Sequence, residues 1–254
     1  MALHPVDSTP PTSLSESRRE AFAALKTRLS APLETTPITP VVGTALPELD
    51  RVLGGGFPSG ALVVLEGNAG CWSLATRVVA RVTQRALAAV IDDGGLYPPS
   101  LAQTGTRLDR VLVVPARSPL GIARAADILV RSRACRLVLM TAPDVRAAVW
   151  TRLAASAQRA GVLLIVIANG LAVAPLAAAS SVRLLCTRER VIVAGFKGLW
   201  STMAGYVVRA EVRKSRSHAP GATAGLRIVT DVCGETLRER IIPPRQRLAR
   251  AALR

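Results

Sequence analysis

Two patterns of apolar positions alternate along the first two thirds of the chain. Short continuous runs of Val, Leu, Ile and Ala occur at 61–66, 88–92, 110–114, 136–141 and 162–168. Runs of this kind are expected of strands buried on both faces. Between them, at 73–86, 119–133 and 144–159, apolar residues recur at helical spacing, with Arg and other polar residues on the opposite face. Further strand candidates at 182–186, 190–194, 206–212 and 225–230 follow one another through short turns. With βα units first and hairpin-like strands last, the order predicts an α/β fold: a mostly parallel central sheet flanked by helices, with an antiparallel extension.

The ends read differently. Residues 1–14 are rich in Pro, Ser and Thr, a composition that does not build a core. In "SESRREAFAALKTRLS" a Ser N-cap precedes an amphipathic helix pattern with Phe22, Leu25 and Leu29 on one face, and three prolines within 31–40 end it. The tail, "ERIIPPRQRLARAALR", is Pro-broken and basic, with helical potential from Arg245. Three parts are expected: an arm helix and linker at 1–40, a core at 41–232 and a basic tail at 233–254. The arm's apolar stripe, together with Arg245, Arg247 and Arg250 of the tail, supplies the candidate partner-binding residues.

Composition narrows the picture. Half of the 254 residues are hydrophobic but only 3% are aromatic, so the core must be aliphatic, as between a parallel sheet and its helices. The formal charge of +16 favours polyanionic partners, among them nucleic acid. Cys71, Cys135, Cys186 and Cys233 are widely spaced and stand near no His cluster, so neither a zinc site nor a disulfide framework is indicated and a reducing cytoplasm fits. The longest apolar stretch, "VLLIVIANGLAVAPLAAA", is interrupted by Asn169, Gly170 and Pro175. It reads as a buried strand and a loop, and no membrane association is expected.

The candidate chemistry sits at "LEGNAGCWSLA", where a strand pattern meets a helix pattern through a glycine turn. A phosphate loop has the form G-x-x-x-x-G-K-[ST], because backbone N–H groups curve round the phosphates, Lys neutralises them and a hydroxyl holds Mg²⁺. Two registers fit. With Gly67 as the first glycine, Trp72 replaces the second, Ser73 the lysine and Leu74 the hydroxyl residue. With Gly70 as the second glycine, the loop is two residues short and Cys71 and Trp72 stand in the Lys and Ser/Thr places. Neither register supplies an ammonium group, so no nucleotide cofactor, metal or catalytic residue is expected. Ser73 reads more simply as a helix cap than as a metal ligand.

The lead-in "LPELDRVLGGGFPSGALVVLEG", followed in order by "AAVIDD", "RLVLMTAP", "VLLIVIAN" and "YVVRAEVRKSR", resembles the ATPase core of the RecA recombinase family over roughly residues 15–230. With the arm helix and basic tail, the chain is similar to the RecA/ImuA family, RecA-related accessory proteins of bacterial damage-induced mutagenesis. The resemblance implies positions for catalytic groups, and this chain departs at each. A Glu is expected after the second core strand, where Gly94 follows Asp92 and Asp93; a Walker B Asp is expected at Thr141, with Asp144 three residues later; and an Asn-Gln pair is expected where Ala168 and Asn169 stand.

The resemblance also implies a role. It is that of an adaptor in SOS mutagenesis, working with an ImuB-like inactive polymerase, with an error-prone replicative-type DNA polymerase and with RecA. DNA is a further candidate partner: "GFKGLW" sets Lys197 between two aromatics, and Trp200, Arg209, Arg213, Lys214 and Arg216 continue a basic stretch. Core aromatics beside a solvated cationic edge explain the same residues. The alternatives to an adaptor are a diverged RecA-like ATPase and a single-stranded DNA-binding module.

Overall fold

The computed structural model describes residues 40–196, 200–215, 220–231 and 234–238. The arm residues Phe22, Leu25 and Leu29, the tail residues Arg245, Arg247 and Arg250, and Lys197 and Arg216 lie outside the described residues.

A small antiparallel pair, β1 (Val41–Val42) with β2 (Phe57–Pro58), brackets α1 (Pro47–Val52). The main sheet then begins. In chain order come β3 (Leu62–Gly67), α2 (Cys71–Thr83), β4 (Ala88–Asp92), α3 (Pro98–Gln103), β5 (Val111–Pro115), α4 (Pro119–Ser132), β6 (Leu137–Thr141), α5 (Ala147–Ala160), β7 (Leu163–Asn169) and α6 (Ala174–Ala179). Four long or edge strands complete it: β8 (Val182–Phe196), β9 (Trp200–Lys214), β10 (Thr223–Asp231) and β11 (Gly234–Arg238). Their order in the sheet is β11-β10-β9-β8-β3-β7-β6-β4-β5. Pairings from β8 to β5 are parallel, and those from β8 to β11 are antiparallel. This is the mostly parallel sheet with an antiparallel extension that the apolar pattern predicts.

Alternation within each strand divides the core in two. Val63, Leu65, Val90, Leu139 and Ile165 face α1 and α2, together with Leu184, Cys186 and Val208. Their neighbours Leu62, Val64, Ala89, Val138, Met140, Leu164 and Val166 face α4 and α5, where Trp150 is fully buried. A strand covered on both faces has no place for polar residues, which is why these segments read as unbroken apolar runs. Helix ends follow local chemistry: Ser118 caps α4 by accepting a hydrogen bond from the Gly121 N–H at 3.1 Å, and Gly161 ends α5 with a φ of 68°.

Three local expectations are corrected. The runs 182–186 and 190–194 are two halves of one strand, β8, not two strands joined by a turn. The polar Arg188–Arg190 stretch that suggests a turn is a register shift against β9, and a bulge of this kind accommodates an extra residue without ending the strand. The helix expected over 144–159 starts only at Ala147. Finally, the segment read as tail from 233 contains β11, which extends the sheet by pairing with β10.

Candidate functional site at the C-terminal rim of the sheet

In open α/β sheets the loops beyond the carboxyl ends of the strands carry the chemistry. Here the rim joins Gly67–Gly70, Asp92–Leu96, Thr141 and Asn169–Val173.

The turn after β3 settles the register that glycine spacing leaves open. α2 begins at Cys71, directly after Gly70, whose φ is 79°. Cys71 and Trp72 are therefore the first two residues of α2, as in the shorter of the two registers. Ser73 lies inside the helix and is not its cap, and Leu74 is fully buried. Trp72 is half-buried and packs against the apolar layer beneath α2.

Packing fixes this turn from below. Gly67 has a φ of 127°, and a Cβ there would lie 1.9 Å from the carbonyl oxygen of Cys186 on β8. A Cβ at Gly70 would come within 2.8 Å of Val208 on β9. Two of the turn's N–H donors are spent within the protein: Gly67 donates to the Gly170 carbonyl at 2.7 Å and Asn68 to the Cys186 carbonyl at 3.2 Å. The Asn68 side-chain oxygen in turn accepts from the Arg188 N–H at 3.3 Å. The turn is thus stitched to β8 on one side and to the loop after β7 on the other.

Two thiols meet at this junction. Cys71 and Cys186 are both free and buried, in one apolar layer. The influence of Cys186, with help from the Cys71 backbone N–H, holds the Cys71 thiol below its ordinary pKa despite burial. Cys186 is pushed well above its ordinary value, first by Cys71 and then by burial. Wide sequence spacing gave no sign of this pair.

The carboxylates along the rim are likewise engaged. Asp92 accepts from the N–H groups of Gly94 and Leu96, each at 2.9 Å, an Asx-type turn. Asp93 accepts from the Gly95 N–H at 3.3 Å and from the Thr141 hydroxyl at 2.8 Å, so the residue at the Walker B place ties down the carboxylate beyond β4. Asp144 is exposed in the segment before α5. Glu66, fully buried at the end of β3, accepts from Arg183 at 2.7 Å and from the Ala172 N–H at 2.8 Å, joining β3, β8 and the loop after β7. Sequence reading passed over Glu66, although a single charge closing an apolar strand is a signal of a buried pair. Among the described residues no group of three or more His, Cys, Asp or Glu could hold a metal ion.

The described candidate DNA-contacting cations, Arg209, Arg213 and Lys214, lie on β9 in the sheet's antiparallel part. Arg209 pairs with Glu189 across the β8 bulge, and Arg213 pairs with Glu211 at 3.3 Å. Lys214 donates to the Ala178 carbonyl at 2.9 Å and the Ala177 carbonyl at 3.3 Å, near the end of α6 where a cation complements the helix dipole. Trp200 opens β9 directly opposite Phe196 of β8. The structure brings Arg209, Arg213 and Lys214 onto one strand but gives each a partner within the chain.

No family model matches the sequence, and no curated protein matches it. Solved structures do match. One is that of the RadB recombinase, at 17% identity over 77% of this chain and 98% of that one, with a TM-score of 0.59. Another is a KaiC-like protein from the hyperthermophilic archaeon Pyrococcus horikoshii, at 13% identity over 79% of this chain and 100% of that one, with a TM-score of 0.58. The fold is RecA-like. At such identities the likeness carries architecture alone, and the rim residues of this RecA-like core must be judged by their own chemistry. Among its described residues no helix is long and apolar enough to cross a membrane.

Proposed function

We propose that this chain is a non-catalytic RecA-like adaptor of the ImuA type, which binds proteins of a DNA-damage-induced translesion-synthesis assembly without hydrolysing ATP. The observation that carries this reading is the start of α2 at Cys71. A triphosphate loop needs a cation and a metal-holding hydroxyl at the first two helical positions, and a thiol and an indole occupy them. The second support is the engagement of Asp92 with the backbone and of Asp93 with Thr141; among the described residues no group of three or more His, Cys, Asp or Glu could hold a metal ion. Losing charge neutralisation, metal anchoring and water activation together removes the usual electrostatic basis of phosphoryl transfer.

Its working parts are then protein surfaces. The partners are an ImuB-like inactive polymerase, an error-prone replicative-type polymerase reached directly or through it, and RecA, all in the cytoplasm. The arm stripe of Phe22, Leu25 and Leu29 makes one contact and Arg245, Arg247 and Arg250 of the tail a second. Affinity capture of the full chain from DNA-damaged cells tests the reading: translesion-synthesis proteins are the expected catch. Replacing Phe22 and Leu25 together by Ala should weaken partner binding about thirtyfold, the usual effect of losing roughly 2 kcal/mol of apolar anchor. Capture of none of these proteins overturns the adaptor reading; unchanged affinity in the double variant overturns the role of the arm.

A further inference from the structure

We propose that Cys71 and Cys186 form an oxidation-sensitive dithiol that closes into a disulfide, stapling the first turn of α2 to β8. Both thiols are free and lie in the same apolar layer, with exposures of 6% for Cys71 and 0% for Cys186. The backbone holds them together independently of the sulfurs. Asn68 hydrogen-bonds the Cys186 carbonyl at 3.2 Å, and Gly67 lies so close over that carbonyl that no Cβ fits. With the chain pinned there, only Ala69 and Gly70 separate Asn68 from Cys71. The two side chains lie in the same apolar layer beside this pinned backbone, so covalent closure joins neighbouring elements without rearranging the sheet.

The two thiols are also unequal in the manner such chemistry requires. Cys71 is the first residue of a helix of 13 residues, where the N-terminal dipole favours an anion, whereas Cys186 lies within β8. Cys71 is therefore the attacking group, and Cys186 is the resolving one. With a hydroperoxide as oxidant, the Cys71 thiolate attacks the terminal oxygen and the O–O bond breaks. The alkoxide leaves and takes up a proton, and Cys71 becomes a sulfenic acid. The Cys186 sulfur then attacks the Cys71 sulfur, hydroxide departs, and the Cys186 proton joins it as water. In sum, two thiols lose two electrons and two protons, and one hydroperoxide becomes one alcohol and one water. Cys135 packs in the layer on the opposite face of the sheet and does not compete.

The test exposes the full reduced chain to hydrogen peroxide, quenches it with an alkylating agent and maps its peptides without reduction. A cross-linked peptide joining Cys71 to Cys186, lost on treatment with dithiothreitol, is the expected result. Cys186→Ser should leave Cys71 as a sulfenic or more highly oxidised acid with no internal cross-link. The proposal is overturned if both thiols of the wild-type chain remain alkylatable, or if Cys71 is oxidised without joining Cys186. A cross-link made through Cys135 or Cys233 in place of this one overturns it as well.

Discussion

In the interior of the sheet Val63, Leu65 and Ile165 face one apolar layer while Val64, Leu164 and Val166 face the other, and all six are fully buried. A few residues further along the same strands, at the rim, Gly67 hydrogen-bonds Gly170, Asp93 holds Thr141, and Cys71 shares a layer with Cys186. The interior residues are interchangeable hydrophobes whose contribution is buried area. The rim residues contribute contacts that a catalytic set would otherwise make with a ligand. The difference explains how a RecA-like frame is kept at 13–17% identity to solved structures: the frame is held by the interior, and rim positions can change without removing it.

Substitutions across this boundary should separate in size. Ile165→Ala, in the middle of β7 with no exposed surface, should cost about 3–5 kcal/mol of stability in a denaturant titration, through lost burial and a cavity. Glu66→Ala stands where interior meets rim. It leaves Arg183, which is 25% exposed, without its carboxylate, and the Ala172 N–H without an acceptor; about 2–3 kcal/mol is expected, below the usual range for a fully buried pair because water reaches the guanidinium. Arg209→Ala breaks the pair with Glu189, both partly exposed, and should cost less than about 1 kcal/mol. An Arg209→Ala loss as large as that of Ile165→Ala would erase the distinction between a structural interior and a tolerant surface.

The same boundary marks what could be read from the sequence. The five parallel strands β3 to β7 were legible because burial on both faces forbids polar residues, and that constraint is local to each run. β8 was divided in error because Arg188, Glu189 and Arg190 look like a turn, and only pairing with β9 turns them into a bulge. At the rim, the absent lysine was visible directly. The register was not, since the start of α2 depends on how Gly67 packs against Cys186, a residue remote in sequence. The bonds between Asp93 and Thr141 and between Glu66 and Arg183 were hidden for the same reason, as was the shared layer of Cys71 and Cys186: the order of strands in the sheet makes these residues neighbours. The basic residues of β9 were found from charge, but the partners Glu189, Glu211 and the carbonyls of α6 required the structure.

That the rim retains no nucleotide is the claim on which the functional reading turns. Thermal unfolding of the full chain with a nonhydrolysable ATP analogue and Mg²⁺, raised to millimolar concentration, measures it most directly. The expected result is a midpoint that does not move. A ligand at about a hundred times its dissociation constant would add about 2.7 kcal/mol of stability, and a saturable rise of that size, dependent on Mg²⁺, would contradict the account.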